Sequence, residues 1–183
     1  MRPDVSAADL VPLYLHADPI RRDVIGRTVE ATAALRPCPP PPRGLGEDLT
    51  RLSGAQDVPA FMAALADGLG LPRDFLTVVA DPGARYDLLT LGLRAAGLHE
   101  EEAVYIFLTL NQGVARSAER VAALVRLFRT VSRPASRDLV AAILDRPFTE
   151  RGRSEAHQPL HGPEAKLRQG AERATPWFRV RKM

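Results

Sequence analysis

Apolar residues recur along this chain at intervals of three and four rather than two, and most such runs begin at an aspartate or serine and end at glycine or proline. Asp18-Pro19 has the form of a helix start, since aspartate accepts hydrogen bonds from free N–H groups and proline suits the first turn. The helix it opens runs from Pro19 to about Leu35, with Ile20, Val24 and Val29 on one side. It must stop by Arg36-Pro37, because the residue before proline is pushed out of helical geometry. A shorter helix is expected over Ala7 to Leu15.

The pattern becomes dense after residue 46. A short helix is expected over Gly46 to Leu52, then one capped by Asp57 that places Phe61, Leu65 and Leu69 at i, i+4 and i+8 and ends at Gly70. Leu71-Pro72 opens another, with Phe75, Val78 and Val79 apolar, until Asp81-Pro82 breaks it. The next spans about Ala84 to Ala96 with Tyr86, Leu89 and Leu93 inward, closed by Gly97. A helix starting at His99-Glu100-Glu101-Glu102, where the dipole favours acids, continues to Asn111-Gln112-Gly113. Ser117 caps a helix bearing Val121, Leu124, Val125 and Phe128. Ser132 starts the last one, with Leu139, Val140, Ile143 and Leu144, and Pro147 terminates it.

Helices of this length are marginal alone, and turns of two to six residues bring neighbours together. The expected fold is therefore all-α: a compact array of about six short antiparallel-packed helices over residues 46–147. A helical N-terminal segment (1–36) precedes it, and a loosely ordered basic tail (148–183) follows. Residues 37–45, with Pro37 and Pro39 to Pro42, are expected to act as a stiff linker that spaces two parts.

Charge changes this picture in one respect. The chain has 183 residues and a net charge of +3. The segment 150–183 holds eight basic and four acidic residues, so residues 1–149 carry a net −1. The basic character belongs to the tail. Lys166 and Lys182 are the only lysines, and arginine supplies every other cation, a bias attributed to a GC-rich genome. Nowhere do eighteen apolar residues run together, and Met1-Arg2-Pro3-Asp4 lacks the basic and apolar pattern of a secretory signal, so a cytoplasmic protein is expected. Cys38 is the single cysteine, which excludes an internal disulfide; it is read as incidental, flanked only by Arg36 and Arg43.

No residue set supports catalysis, a cofactor or a metal. His157 and His161 stand four apart, but Gln158-Pro159 and Gly162-Pro163 argue against the helix that would align them as ligands. His99 with Glu100, Glu101 and Glu102 is read as a solvated helix start, and Ser117 and Ser132 as caps rather than nucleophiles. Asn111 is the most notable polar residue, read as satisfying turn backbone in preference to binding a ligand between helices. Arg116 with Arg120, and Arg126 with Arg129, form a strip able to meet phosphates or an acidic partner, continued by Arg133 and Arg137. Trp177 and Phe178, beside Arg179, Arg181 and Lys182, place two large rings in a polar tail, as interface anchors do.

From about Gly54 to Asp145 the chain resembles a bacterial family catalogued as domain of unknown function 2336. The stretches carrying the resemblance are Phe61 to Ala66 with Leu69-Gly70-Leu71-Pro72, Leu93 to Leu98, Ile106 to Asn111, and Ala118 to Leu124. Gln112 follows Asn111 where such proteins commonly have proline, and the longer N-terminal helical region of larger members is abbreviated. The resemblance implies an all-helical fold and no particular chemistry.

The function expected from these residues is a non-enzymatic interaction or assembly module, an adaptor subunit that docks a protein partner through Trp177, Phe178, Arg179, Arg181 and Lys182. The rival is a nucleic-acid-associated regulator using Arg116, Arg120, Arg126, Arg129 and the tail, whose binding would weaken steeply with salt. Peripheral contact with an anionic membrane is a third reading of the same tail.

Overall fold

In the computed structural model of the protein the described residues are 11–35 and 37–145. They form eight α-helices and two 3-10 turns, with no strand among them. A 3-10 turn at Val11–His16 leads into α1 (Pro19–Ala33), α2 (Leu45–Gly54) and α3 (Val58–Leu69). A second 3-10 turn, Phe75–Val78, precedes α4 (Pro82–Ala95), α5 (Glu100–Leu110), the single turn α6 (Gln112–Ala115), α7 (Ala118–Thr130) and α8 (Arg133–Ile143). The expected all-α array is what the chain adopts.

Helix starts follow the caps. The Asp18 carboxylate accepts from Arg21 N at 2.9 Å, and Asp57 accepts from Ala60 N at 3.1 Å. Asp81 accepts from Ala84 N at 2.8 Å, Ser117 from Arg120 N at 3.2 Å and Ser132 from Ala135 N at 3.3 Å. Each satisfies one N–H that has no partner inside its own helix. Proline occupies the first turn of α1, α3, α4 and α8, where its missing N–H costs nothing.

Helix α4 is the axis. Leu88, Leu89, Leu91 and Leu93 are all buried, so it is apolar on nearly every side. It packs against α8, α7, α3 and both 3-10 turns, while α2 lies on α3 and α5, and α5 on α7. Phe61, Phe75, Phe107, Leu124 and Leu139 close the core between these helices.

Where a helix over Ala7 to Leu15 is expected, the described part forms the 3-10 turn Val11–His16, and residues 7–10 lie outside the described ones; the structure departs from the pattern reading at three further points. On α1 the buried residues are Ile25, Val29 and Ala33, whereas Ile20 and Val24 face solvent. The stretch after Pro72 is only a 3-10 turn with Val78 exposed: the segment between Pro72 and Pro82 is too short for a helix, and burial of Phe75 and Val79 fixes its two ends instead. Thirdly, the proline run joins parts that share one core. Ile25, Val29 and Ala33 belong to the same apolar cluster as residues of α2 to α8, and α1 packs on α8. The Glu30 carboxylate accepts from Ser132 N, which lends α8 a cap from another helix.

Candidate functional site

Arginine is the only cationic side chain other than histidine among the described residues, and most of its guanidinium groups are already engaged. Arg22 donates through Nε to Ala17 O at 3.0 Å and through Nη2 to Leu15 O, at the end of the first 3-10 turn. Arg94 Nε donates to Val131 O at 3.0 Å, where α7 ends, and Arg133 Nε to Ala95 O at 3.1 Å, where α4 ends. Arg85 Nε donates to Val79 O, and Arg120 Nη2 to Gly83 O. Terminal carbonyls lack partners within their own helices, and a planar fork of donors on a long stem reaches them from a neighbouring element. Arginine here works as mortar between helix ends.

The arginine strip read from the sequence is divided accordingly. Arg120 lies half-buried with Nη2 2.8 Å from Asp87 Oδ1, and Arg22 Nη1 sits 2.9 Å from Asp87 Oδ2, so one buried carboxylate is clasped from both sides. Tyr14 stacks under the Arg22 guanidinium at 5.8 Å. Arg129 is held by Glu100, with Nε to Oε2 at 2.7 Å, and that bond keeps the Glu100 carboxyl below its ordinary range. Arg116 caps α6 and is exposed, as is Arg126. Burial holds the Arg133 guanidinium below its ordinary range, and the nearby Arg137 and Arg94 add to that. Trp177, Phe178, Arg179, Arg181, Lys182, His157 and His161 lie outside the described residues.

Two surface features remain. The first is the outer face of α1. At 100° per residue Ile20, Val24 and Ala31 share one side, and the stripe continues to Leu35 just past the cap. Ile20 is 79 % exposed, Val24 53 % and Leu35 86 %. The core stripe Ile25, Val29, Ala33 lies on the opposite side, so α1 carries apolar residues on two faces, the outer one bordered by Arg27, which stands between Val24 and Ala31 and pairs with Asp23.

The second is an open cleft of about 510 Å³ where the starts of α3 and α4, the second 3-10 turn and the end of α5 converge. Met62, Leu76, Leu89 and Leu110 give it an apolar floor, and Tyr86 and Asn111 stand on its wall. Asn111 does what its turn position suggests: Oδ1 accepts from Gly113 N at 2.7 Å and from Val114 N at 3.4 Å. It also does something the sequence did not reveal, since Nδ2 donates to the Tyr86 hydroxyl. The pairing of residues 86 and 111 depends on how α4 and α5 cross, and no local pattern encodes it. Asp87 was missed too, although an acid within the run Tyr86 to Leu93 is itself a signal: a carboxylate in so apolar a segment must find cations.

Among the described residues no three His, Cys, Asp or Glu side chains converge as metal ligands do, and no helix is long and apolar enough to cross a membrane. His99 is exposed, and its N–H donates to Glu102 Oε2 at 2.7 Å across the first turn of α5. Comparison of the chain with family models, with curated proteins and with solved structures finds no match.

Proposed function

We propose that this protein is an interaction module, an adaptor or assembly subunit, and that the outer face of α1 is one of its docking surfaces. The observation that supports this reading is the second apolar stripe. A surface helix normally turns charged and polar residues to water opposite its core face, whereas α1 presents Ile20, Val24 and Ala31 there, with Leu35 just beyond its end and Arg27, neutralised by Asp23, at the edge. The fold gains nothing from them, because the core contacts of α1 come from Ile25, Val29 and Ala33. A partner that lays an apolar helix or groove along this side removes the stripe from water, and each branched side chain it buries contributes about 1.5–3 kcal/mol. The tail residues Trp177, Phe178, Arg179, Arg181 and Lys182 act as a second, tethered contact, so that two modest surfaces combine into one stronger attachment.

The test is quantitative affinity recovery from native lysate with three proteins: the unaltered chain, the double variant Ile20→Glu/Val24→Glu, and a chain lacking residues 174–183. The expected result is a protein retained by the first and lost from both variants, with all three melting at the same temperature. An identical set of retained proteins for all three, or none retained by the first, would overturn the proposal.

A further inference from the structure

The cleft beside Asn111 contains a donor that the fold leaves unused. Asn111 Oδ1 is occupied by two backbone N–H groups, which turns its amide nitrogen toward Tyr86. The Tyr86 oxygen is thus an acceptor in that bond, and its own O–H makes no hydrogen bond to any described residue. Burial holds the Tyr86 hydroxyl above its usual pKa, so it keeps this proton at neutral pH. Arg85 also lines the cleft; its Nε donates to Val79 O, and neither of its Nη groups bonds another described residue. Arg73 also lines the cleft, held by a long 3.4 Å contact to Asp67, and Asp74 is the one acid there. Arg85 is thus the cation of the lining that faces no acid in an ion pair among the described residues, and the apolar lining is thioether and leucine.

We propose that this cleft is a binding site for an amphiphilic carboxylate, a medium-chain fatty acid being the simplest example, with the carboxylate taken by Tyr86 and Arg85 and the chain laid over Met62, Leu89 and Leu110. A neutral apolar molecule would leave both donors without a partner as it covered them, which is costly. A carboxylate supplies acceptors to both, and charge-assisted bonds are the stronger kind. The volume lies within the range usual for small-ligand sites. The floor and wall come from four elements fixed by the core, so the site is already formed before anything binds.

Titration of the full chain with decanoate and with decanol, followed by calorimetry and by methyl and amide chemical shifts, tests this directly. Decanoate is expected to bind about tenfold or more tighter than decanol, with shifts centred on Met62, Leu89 and Leu110. Tyr86→Phe and Arg85→Gln should each weaken decanoate about tenfold while leaving decanol unchanged. Equal affinity for acid and alcohol, shifts centred on the outer face of α1, or no saturable binding would each overturn the proposal. The acid-to-alcohol ratio and the shift map need only the unaltered protein, so they decide the matter even where a variant folds poorly.

Discussion

Ser136 sits on α8 with its side chain fully buried, and its hydroxyl makes no hydrogen bond to any described residue. The buried aliphatic hydroxyls of Ser53 and Thr90 show the usual remedy: Ser53 donates to Thr50 O at 3.0 Å and Thr90 to Tyr86 O at 2.8 Å, each within its own helix. An interior hydroxyl without a partner costs roughly 1–3 kcal/mol. Ser136→Ala removes that cost and leaves a residue with a higher helix propensity. The expected outcome is a gain of about 1 kcal/mol in urea unfolding and a melting point higher by a few degrees. A loss of stability would mean that the hydroxyl has a partner. Nothing local marks Ser136 in the sequence, because a serine next to Arg137 reads as surface until α8 is laid against α4. Asn111, by contrast, was legible in half its role: its affinity for turn backbone is intrinsic, whereas its bond to Tyr86 is a product of assembly.

Among the elements, those with a proline or a side-chain cap at their start and glycine at their end were read closely, and those defined by packing alone were not. Helix α3 begins after Asp57 and stops at Gly70 as its punctuation requires, because caps and left-handed glycines act over a few residues. Val29 does not share a side with Ile20 and Val24, because α1 has two apolar stripes and periodicity gives the spacing of a stripe without saying which one finds a partner. The proline run was read as a spacer from composition, yet Pro41 lies over the α4–α5 turn. Gly97 closes that turn at φ +84°, and a Cβ added to it would fall 2.7 Å from Pro41 Cβ and 3.2 Å from Arg133 Nε. Gly44 has a similar φ of +73° with nothing near it. Gly44→Ala should therefore cost about 1 kcal/mol, the strain of the left-handed backbone alone, and Gly97→Ala about 1–2 kcal/mol more. Denaturant midpoints of the two variants measure how firmly the linker is held; equal losses would show that it is not.

At the scale of the whole molecule, the clasp of Arg22 and Arg120 on Asp87 ties distant parts of the chain together by joining α1, α4 and α7. Asp87 is 5 % exposed, while both guanidinium groups reach water, so solvent moderates the pair and the net contribution falls short of a wholly interior one. Asp87→Asn keeps the shape but leaves two cations facing each other without a counter-charge. A loss of about 2 kcal/mol is expected, with α1 amides exchanging faster than those of α3, since α3 does not touch the clasp. Uniform exchange along the chain, or an unchanged unfolding midpoint, would show that the clasp does not hold α1 in place. Fold class was legible at this scale because helical periodicity and short turns leave few alternatives, but the way the N-terminal helix joins the array depends on contacts between residues 65 and more apart.

The two-sided character of α1 divides the substitutions the helix can carry into two independent groups. Changes at Ile25, Val29 and Ala33 are felt by folding, and through folding by every property of the molecule. Changes at Ile20, Val24, Ala31 and Leu35 fall on surface that the interior does not use. One short segment can therefore vary on its outward side without endangering its own architecture, and under the docking role proposed for that side, separation-of-function alleles belong there.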